Sequence, residues 1–330
     1  MSFCGIINGM KNNYFAGIDI GGTKIAAALA TKDGKILSRS KSPTPKNASP
    51  AKIASIVADL LEEMLYACGI NKKELCGVGI GIPGIIDSVS GKILRTPNMH
   101  IAGANLQKQL KKRLNINCCL GNDVNLGTLG EKWLGAAKKA KNVVGLFIGT
   151  GIGAGIIIDG KLFTGSHGAA AEIGHMIIQG SGPKCSCGNT GCLESLAGRW
   201  AIERDIRQEI KKGKKTLLTK LLDKNSDPIK SKILRKSLEK HDRLTVKILK
   251  AAAEQIGIAC VSIRHIFDPE MIVLGGGVIE ACAGFILPIV KKTAQKDKFF
   301  STIGSCEIVA SKLGDDAIVL GAIKLSQQHS

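Results

Sequence analysis

Three cysteines and one histidine form the most specific cluster of chemically active residues in this 330-residue chain. Cys185, Cys187 and Cys192 stand in one short Gly-rich run, and His175 precedes them. Three thiolates and an imidazole are a usual ligand set of a closed, tetrahedral zinc site. Disulfides are the alternative, but cysteines at this spacing bridge poorly and a reducing compartment disfavours the bond. The run therefore predicts a structural Zn²⁺ site.

Two carboxylates flank this cluster, Glu172 and Glu194. Carboxylates accept hydrogen bonds from hydroxyl groups, so a pair of them beside a rigid metal loop suits a polyol ligand. His175 can act twice, with one ring nitrogen on zinc and the other on a ligand hydroxyl. The alternative for both glutamates is exposure to solvent, which is the commoner fate of this residue type.

A glycine-rich turn follows an apolar strand near the start of the chain, in the run from Asp19 through Gly21 and Gly22 to Thr23 and Lys24. Glycines let backbone N–H groups approach an anion closely. Thr23 and Lys24 can donate to phosphate oxygens, and Asp19 can hold Mg²⁺, usually through water. The alternative is an ordinary hairpin turn.

A second turn, Gly149-Thr150-Gly151, repeats this pattern. The segments 15–37 and 143–163 each contain a strand, a Gly-Thr turn, a second strand and an Asp-Gly-Lys turn. Asp-Gly between apolar runs is a strong hairpin signal. The second turn matches neither a dinucleotide fingerprint nor a P-loop. A repeat of this kind predicts two related halves, each with a phosphate-binding turn.

Asp123 is the candidate general base. It follows Asn122 and a short strand predicted at 116–120, and it opens a predicted helix. An Asp in this position is commonly an N-cap, and that alternative stays open. The functional alternative is a base at the carboxyl end of a strand, where open α/β sheets bind ligands. Phosphoryl transfer needs such a carboxylate to accept the proton of the attacking hydroxyl.

Strands alternate with helices along the chain, which predicts a mainly parallel sheet with helices packed against it. The elements predicted from the apolar pattern are helices at 52–66, 104–114 and 316–325, strands at 77–82 and 271–274, and a helical region at 196–264 broken near Asp227-Pro228.

The formal net charge is +19, with 46 Lys and Arg residues against 27 Asp and Glu. No aromatic platform accompanies the basic segments, so we predict a solvated basic surface rather than a nucleic-acid-binding one. The longest uncharged apolar stretch, 143–158, is shorter than the roughly 20 residues of a membrane span. The first residues lack the basic start of a secretory signal. We therefore expect a cytoplasmic protein without a membrane partner.

Taken together, these motifs resemble the ROK family of bacterial repressors, open reading frames and sugar kinases. The run 19–24 resembles its first phosphate motif, 149–155 its second, and 151–175 its signature. The cysteine run matches its Cys-x-Cys-Gly-x-x-Gly-Cys pattern with an upstream Gly-His. The segment 268–277 resembles its adenosine-side strand and Gly-rich turn.

The resemblance implies an α/β, actin-like (ribonuclease H-like) duplicated fold with two lobes and a zinc-binding insert. The implied lobes are 1–125 with 314–330, and 126–313. It implies Asp123 as the base, with a hexose and ATP as substrates. The implied sugar-binding residues are Gly84, Asn98, Asn122, Asp123, Glu172, His175 and Glu194. The implied nucleotide-binding residues are Asp19, Gly21, Gly22, Thr23, Lys24, Gly149, Thr150, Gly151, Gly275, Gly276 and Gly277, with Mg²⁺ as the counter-ion.

The family's repressors carry a helix-turn-helix before the first strand, and fewer than twenty residues precede Asp19 here. We therefore expect a kinase that binds no DNA. The segment 83–87 resembles the glucokinase-like members, so an ATP-dependent glucokinase is the expected activity. The alternatives are an N-acetylmannosamine or N-acetylglucosamine kinase and, from another class, a non-catalytic sugar sensor. Polyphosphate stays open as a donor, and a homodimer is expected from the resemblance.

Overall fold

The computed structural model describes residues 13–87, 90–96, 99, 101–222 and 228–329. In them the chain forms β-strands at Tyr14–Ile20 (β1), Lys24–Thr31 (β2), Ile36–Pro43 (β3), Leu75–Ile82 (β4), Ile85–Asp87 (β5), Lys92–Arg95 (β6), Cys118–Asn122 (β7), Val143–Ile148 (β8), Ile152–Ile158 (β9), Lys161–Phe163 (β10), Met271–Gly275 (β11) and Glu307–Ala310 (β12). The α-helices are Pro50–Cys68 (α1), Leu106–Leu114 (α2), Asp123–Trp133 (α3), Leu193–Ala197 (α4), Arg199–Lys211 (α5), Leu218–Leu221 (α6), Ser231–Glu239 (α7), Arg243–Phe267 (α8), Gly277–Ala294 (α9) and Ala317–Gln328 (α10).

The chain divides into two compact units. The first consists of Met1–Lys138, Leu162–Ala170 and Asp315–Ser330, and the second of Lys139–Lys161 and Ala171–Gly314. Residues 126–138 and 162–170 thus belong to the first unit, whereas the predicted lobes placed them in the second. The predicted lobe boundaries stay a prediction.

Two five-stranded sheets have the same strand arrangement. The first has the order β3-β2-β1-β4-β7, with β1 antiparallel to β2 and parallel to β4. The second has the order β10-β9-β8-β11-β12, with β8 antiparallel to β9 and parallel to β11. The hairpin that was recognised twice in the sequence is β1–β2 in one sheet and β8–β9 in the other. This duplication confirms the predicted α/β fold class.

Helix α1 shows how local sequence sets the ends of an element. Ser49 is the N-cap and its hydroxyl accepts the Lys52 amide, while Pro50 occupies the first turn, where its missing N–H costs nothing. Gly69 ends the helix at φ 65°, a left-handed conformation that glycine adopts without strain. The buried face of α1 packs against the first sheet through residues such as Val57 and Leu61.

The sequence misplaced some elements. The strand predicted at 116–120 lies at Cys118–Asn122, because Asn115 ends α2 in a left-handed conformation and pairing with β4 begins only at Cys118. The region predicted as a helix with one break contains α4 to α8, and Gly213 at φ 84° separates two of them. Of the predicted break near Asp227-Pro228, Asp227 lies outside the described residues, and Pro228 is non-helical and precedes α7.

Helix α10 approaches the first sheet so closely that it leaves no room for a side chain at Gly17 or Gly79. A Cβ at Gly17 of β1 would lie 2.0 Å from the carbonyl oxygen of Val319, and one at Gly79 of β4 would lie 1.8 Å from that of Ala322. Both opposing atoms belong to the backbone and cannot rotate away.

Within the described residues, no helix is both long enough and apolar enough to span a membrane.

We predict that Gly79→Ala lowers the free energy of unfolding by roughly 1–3 kcal/mol or more, because a Cβ forces α10 away from the sheet. Urea denaturation of the purified variant would measure the change. The matched control is Gly284→Ala in α9, where an added Cβ meets no atom within 4 Å. That change should be neutral or stabilising by up to about 1 kcal/mol. Equal stability of the two variants would contradict the packing argument.

Candidate active site and metal centre

The first sheet gathers polar residues at the carboxyl ends of its parallel strands. Asp19 stands one residue before the end of β1, opposite Gly81 of β4, and Asn122 ends β7, opposite Ile82. Parallel strands that pair in register end at the same edge, and this edge is where open α/β sheets bind ligands. The order of the strands therefore places the predicted base near the first phosphate turn.

Asn122, not Asp123, is the N-cap of α3. The Asn122 side-chain oxygen accepts the amides of Val124 and Asn125 at 2.9 and 3.0 Å, and its Nδ2 donates to the Gly84 carbonyl at 3.0 Å. Asp123 is the first helical residue and accepts the Val124 amide through Oδ1 at 2.9 Å. The N-cap role that was the alternative for Asp123 therefore belongs to Asn122. Gly84, Asn122 and Asp123 lie together.

Asp19 lies in a crowded electrostatic environment. Its pKa is raised from 3.8 to about 7, mainly by burial and also by the negative charges of Asp123 and Asp315, while the positive charge of Lys24 opposes the shift. A cation beside a carboxyl group in such surroundings would favour its anionic form. Sequence reasoning missed Asp315, although its place just before the last predicted helix was a usable signal.

The first phosphate turn is the connection between β1 and β2. The Gly21 amide donates to the Lys24 carbonyl at 2.9 Å, which closes the turn, and Gly22 and Thr23 are exposed. Thr44 supports the turn from the side, since its hydroxyl donates to the Gly21 carbonyl at 2.6 Å. Thr44 follows β3 and carries no motif, so the sequence alone could not assign it to this site.

The second unit brings its two glycine-rich turns side by side. Gly149–Gly151 connects β8 to β9, with the Gly149 amide donating to the Gly151 carbonyl at 2.9 Å. Gly275 ends β11, which is the parallel neighbour of β8. Gly276 has φ 83°, and a Cβ there would lie within 2.8 Å of the Ile148 backbone. The Gly275–Gly277 turn therefore packs directly against the strand that leads into Gly149.

The four predicted zinc ligands converge in the second unit. One donor atom from each of His175, Cys185, Cys187 and Cys192 lies within 4.8 Å of all the others. The His175 Nδ1 is 3.6 Å from the Cys185 sulfur, and the sulfurs of Cys187 and Cys192 are 3.7 Å apart. Gly191, at φ 75°, lets the loop close, because a Cβ there would lie 1.6 Å from the Gln179 carbonyl oxygen.

These separations fit a tetrahedral zinc ion. Zn–S bonds of about 2.3 Å and Zn–N bonds of about 2.0–2.1 Å imply S···S and S···N separations of about 3.8 and 3.5 Å in a tetrahedron. Burial raises the pKa of the Cys192 thiol to about 12, and a divalent cation would supply the charge that favours its thiolate. The donor set and its spacing therefore suit the metal.

The three predicted sugar-binding residues of this unit surround the cysteine cluster. Nδ1 of His175 faces the sulfurs, which leaves Nε2 on the other side of the ring, 4.0 Å from the Glu172 carboxylate. Glu172 is exposed. Glu194 is buried, and its carboxylate accepts the Ile152 amide at 2.9 Å and the Ser186 hydroxyl at 3.0 Å.

Glu194 is thus not a solvent-exposed residue, and a sugar hydroxyl would have to share its carboxylate with donors from the protein. Within each unit the structure brings the predicted site residues together. Asn98, predicted to bind sugar, lies outside the described residues.

The chain belongs to the ROK family, whose profile matches residues 15–329. It is 35% identical to a glucokinase of Thermotoga maritima, over 95% of this chain and 97% of that protein. It is 31% identical to a xylose repressor of Caldicellulosiruptor bescii, over 94% of this chain and 77% of the repressor.

A solved structure is also similar, a ROK family glucokinase from Streptomyces griseus in complex with glucose and AMPPNP. The TM-score is 0.82 at 30% identity, and the match covers 96% of this chain and 99% of that one. The family and the actin-like fold class predicted from the motifs are confirmed.

We predict that the purified protein holds one zinc ion per chain after extensive dialysis, and that Cys187→Ser lowers this content sharply. Removing one of four ligands opens the site, and helix α4, which carries Glu194 and begins after Cys192, loses its anchor. Elemental analysis measures the zinc, and glucose titration should show weaker sugar binding. Cys76→Ser, outside the cluster, is the control. Active protein without zinc would refute the assignment.

We predict that Asp19→Asn stabilises the protein at high pH. The folded chain keeps the Asp19 proton up to a pH of about 7, whereas an unfolded Asp loses it near 3.8. The folded state binds more protons in this window, so the free energy of unfolding falls as pH rises through it.

The Asn variant removes this loss. Without added Mg²⁺ we expect it to exceed the wild type by at least about 1 kcal/mol above pH 7, the equivalent of one pKa unit, and by less toward pH 4. Chemical denaturation across pH measures the difference, with the exposed Glu62→Gln as control. Parallel pH curves for Asp19→Asn and wild type would contradict the charge crowding.

Proposed function

We propose that this protein is an ATP-dependent glucokinase that transfers the γ-phosphoryl group of ATP to the 6-hydroxyl of glucose. The observation that carries the proposal is the position of Asp123, at the carboxyl edge of the first sheet and close enough to raise the pKa of Asp19. The glucokinase relatives, which the chain matches over nearly its whole length, support the same reaction.

In the proposed reaction, Asp123 accepts the proton of the 6-hydroxyl as its oxygen bonds to the γ-phosphorus. The bond between that phosphorus and the bridging oxygen breaks, and ADP leaves with the electron pair. The helix orients the base, because Asn122 caps α3 and Asp123 follows as its first residue. Catalysis of this kind depends mainly on positioning and on charge neutralisation.

The glycine-rich turns at 21–23 and 149–151 would bind the phosphates. Backbone amides and the Thr23 and Thr150 hydroxyls donate to phosphate oxygens, and Lys24 adds a positive charge. Asp19 would hold Mg²⁺, usually through water, and the ion would supply positive charge to the phosphates. Its positive charge would also relieve the crowding around Asp19. Gly275–Gly277 serves the adenosine side of the nucleotide.

Glucose binding would use residues that accept hydrogen bonds from hydroxyl groups. In the first unit these are Gly84, Asn98 and Asn122. In the second unit they are Glu172, His175 and Glu194. His175 and the three cysteines would hold a zinc ion, which would fix the imidazole so that its Nε2 faces a sugar hydroxyl. The metal would contribute structure and take no part in the phosphoryl transfer.

Other features of the protein follow the same proposal. We propose a cytoplasmic location, because ATP is the proposed donor and because a reducing compartment preserves cysteine ligands. We propose a homodimer, on the resemblance alone. A sugar-sensing protein without catalysis is the second candidate, favoured by the similarity to a xylose repressor.

A coupled assay over glucose, mannose, fructose, N-acetylmannosamine and N-acetylglucosamine, with ATP or polyphosphate as donor, tests the function. We expect the highest kcat/KM for glucose with ATP. A preference for an N-acetyl sugar would replace the substrate and leave the reaction class intact. Glucose binding without any turnover would favour the sensor.

Asp123→Asn is the matched variant for this assay. It keeps the size and the helix position but removes the proton acceptor, so kcat should fall about 10²–10⁴-fold. The affinity for glucose should change little, which calorimetry would measure. Near-normal turnover by this variant would refute Asp123 as the base.

A further inference from the structure

Arg199 lies against the second phosphate turn, and no motif marks it. It is the first residue of α5, and its Nη2 donates to the Thr150 hydroxyl oxygen at 2.7 Å. The backbone joins the same two segments, since the amides of Arg199 and Trp200 donate to the carbonyls of Gly149 and Thr150 at 3.2 and 3.1 Å. The turn is therefore fixed to the start of α5, and the guanidinium stands beside it.

This contact determines what the Thr150 hydroxyl can do. A guanidinium has five N–H donors and no acceptor, so in its bond with Arg199 the Thr150 oxygen must accept. The single O–H donor of Thr150 is then left for another acceptor. The adjacent positive charge polarises that O–H and strengthens the bond it makes to an anion.

Arg199 also reaches toward the adenosine-side turn. Its Nη1 donates to the Ile229 carbonyl at 3.4 Å. Two residues further on, the Ser231 hydroxyl would be 3.5 Å from a Cβ at Gly277. Arg199 thus stands between the Gly149–Gly151 turn and the segment that packs on Gly277, the two places where the nucleotide is proposed to bind.

The charge of Arg199 is not used for an ion pair in the described part of the chain. Two other arginines of α5 are paired there, Arg204 with Asp205 and Arg207 with Glu203, each at 2.7 Å. Arg199 instead contacts a hydroxyl and a carbonyl, which are neutral acceptors. A guanidinium with donors to spare, next to a turn built for phosphate, is suited to a charge-assisted contact with a phosphate oxygen.

We propose that Arg199 is a donor-recognition residue, which binds a phosphate oxygen of the nucleotide and directs the Thr150 hydroxyl toward the same phosphate chain. The inference rests on the proposed function, because the ligand is the phosphoryl donor. It adds to that function a positively charged side chain, Arg199, that recognises the phosphates of the donor and not the sugar.

The test compares Arg199→Ala, Arg199→Lys and Thr150→Val with the wild type. Arg199→Ala should raise the KM for ATP about tenfold to a hundredfold, the range expected for one lost charged hydrogen bond. The KM for glucose should stay within about twofold. Lys, a point charge without the planar fork, should restore only part of the affinity. Because both residues act on one phosphate chain, the effects of Arg199→Ala and Thr150→Val should be less than additive.

Calorimetric titration with ATP and with adenosine tests binding without turnover. Arg199→Ala should weaken ATP binding and leave adenosine binding unchanged, and Lys211→Ala, which removes an exposed charge at the other end of α5, should change neither. An equal loss for ATP and adenosine, or no loss for ATP, would overturn the assignment. If Arg199→Ala does not fold, Arg199→Lys and Thr150→Val decide by the same comparison. Absence of glucose phosphorylation by the wild type would refute the proposed function, while the ATP and adenosine titrations still decide the role of Arg199.

Discussion

Three parallel strands of the first sheet end at one edge, and this shared edge is the constraint on which the candidate site depends. The register of β1, β4 and β7 fixes the backbone positions of Asp19 and Asn122, whatever rotamers their side chains adopt. Helix α3 can begin only where β7 ends, so Asp123 becomes its first residue. Close packing of α10 across Gly17 and Gly79 keeps these strands in place.

The same edge explains why the site costs stability. Strand order brings the charge of Asp123 near Asp19, and the loop before α10 brings Asp315 to the same carboxyl group. Like charges in a partly buried place disfavour one another's ionisation. A protein selected only for stability would not keep them there. Active sites commonly carry such groups because a bound cation and a reacting hydroxyl need negative charge in that place.

The sequence was informative where chemistry demands particular residue types at particular spacing. The spacing of Cys185, Cys187 and Cys192 predicted the metal-binding loop. The repeated Gly-Thr and Asp-Gly turns predicted the duplicated hairpins. It was uninformative where a role comes from three-dimensional proximity. Thr44 and Asp315 reach the first site from β3 and from the loop before α10, and neither belongs to a motif. The β7 boundary was missed for a related reason, since cross-strand pairing, and not apolar pattern, decides where that strand begins.

Glu194 shows how proximity adds a role that residue type cannot reveal. Its sequence position beside the cysteines indicated a hydroxyl acceptor. In the structure its carboxylate also accepts the Ile152 amide, which immediately follows the second phosphate turn, and the Ser186 hydroxyl of the metal loop. The Trp200 indole donates to the same group at 3.3 Å from the start of α5. One buried carboxylate therefore ties the metal loop, the phosphate turn and the helix of Arg199 together.

A buried, hydrogen-bonded charge of this kind fixes the relative positions of its partners, because losing any one donor leaves the carboxylate incompletely compensated. The zinc loop then does more than shape a sugar pocket: by holding Ser186 and Glu194, it also supports the turn that is proposed to bind the donor phosphates.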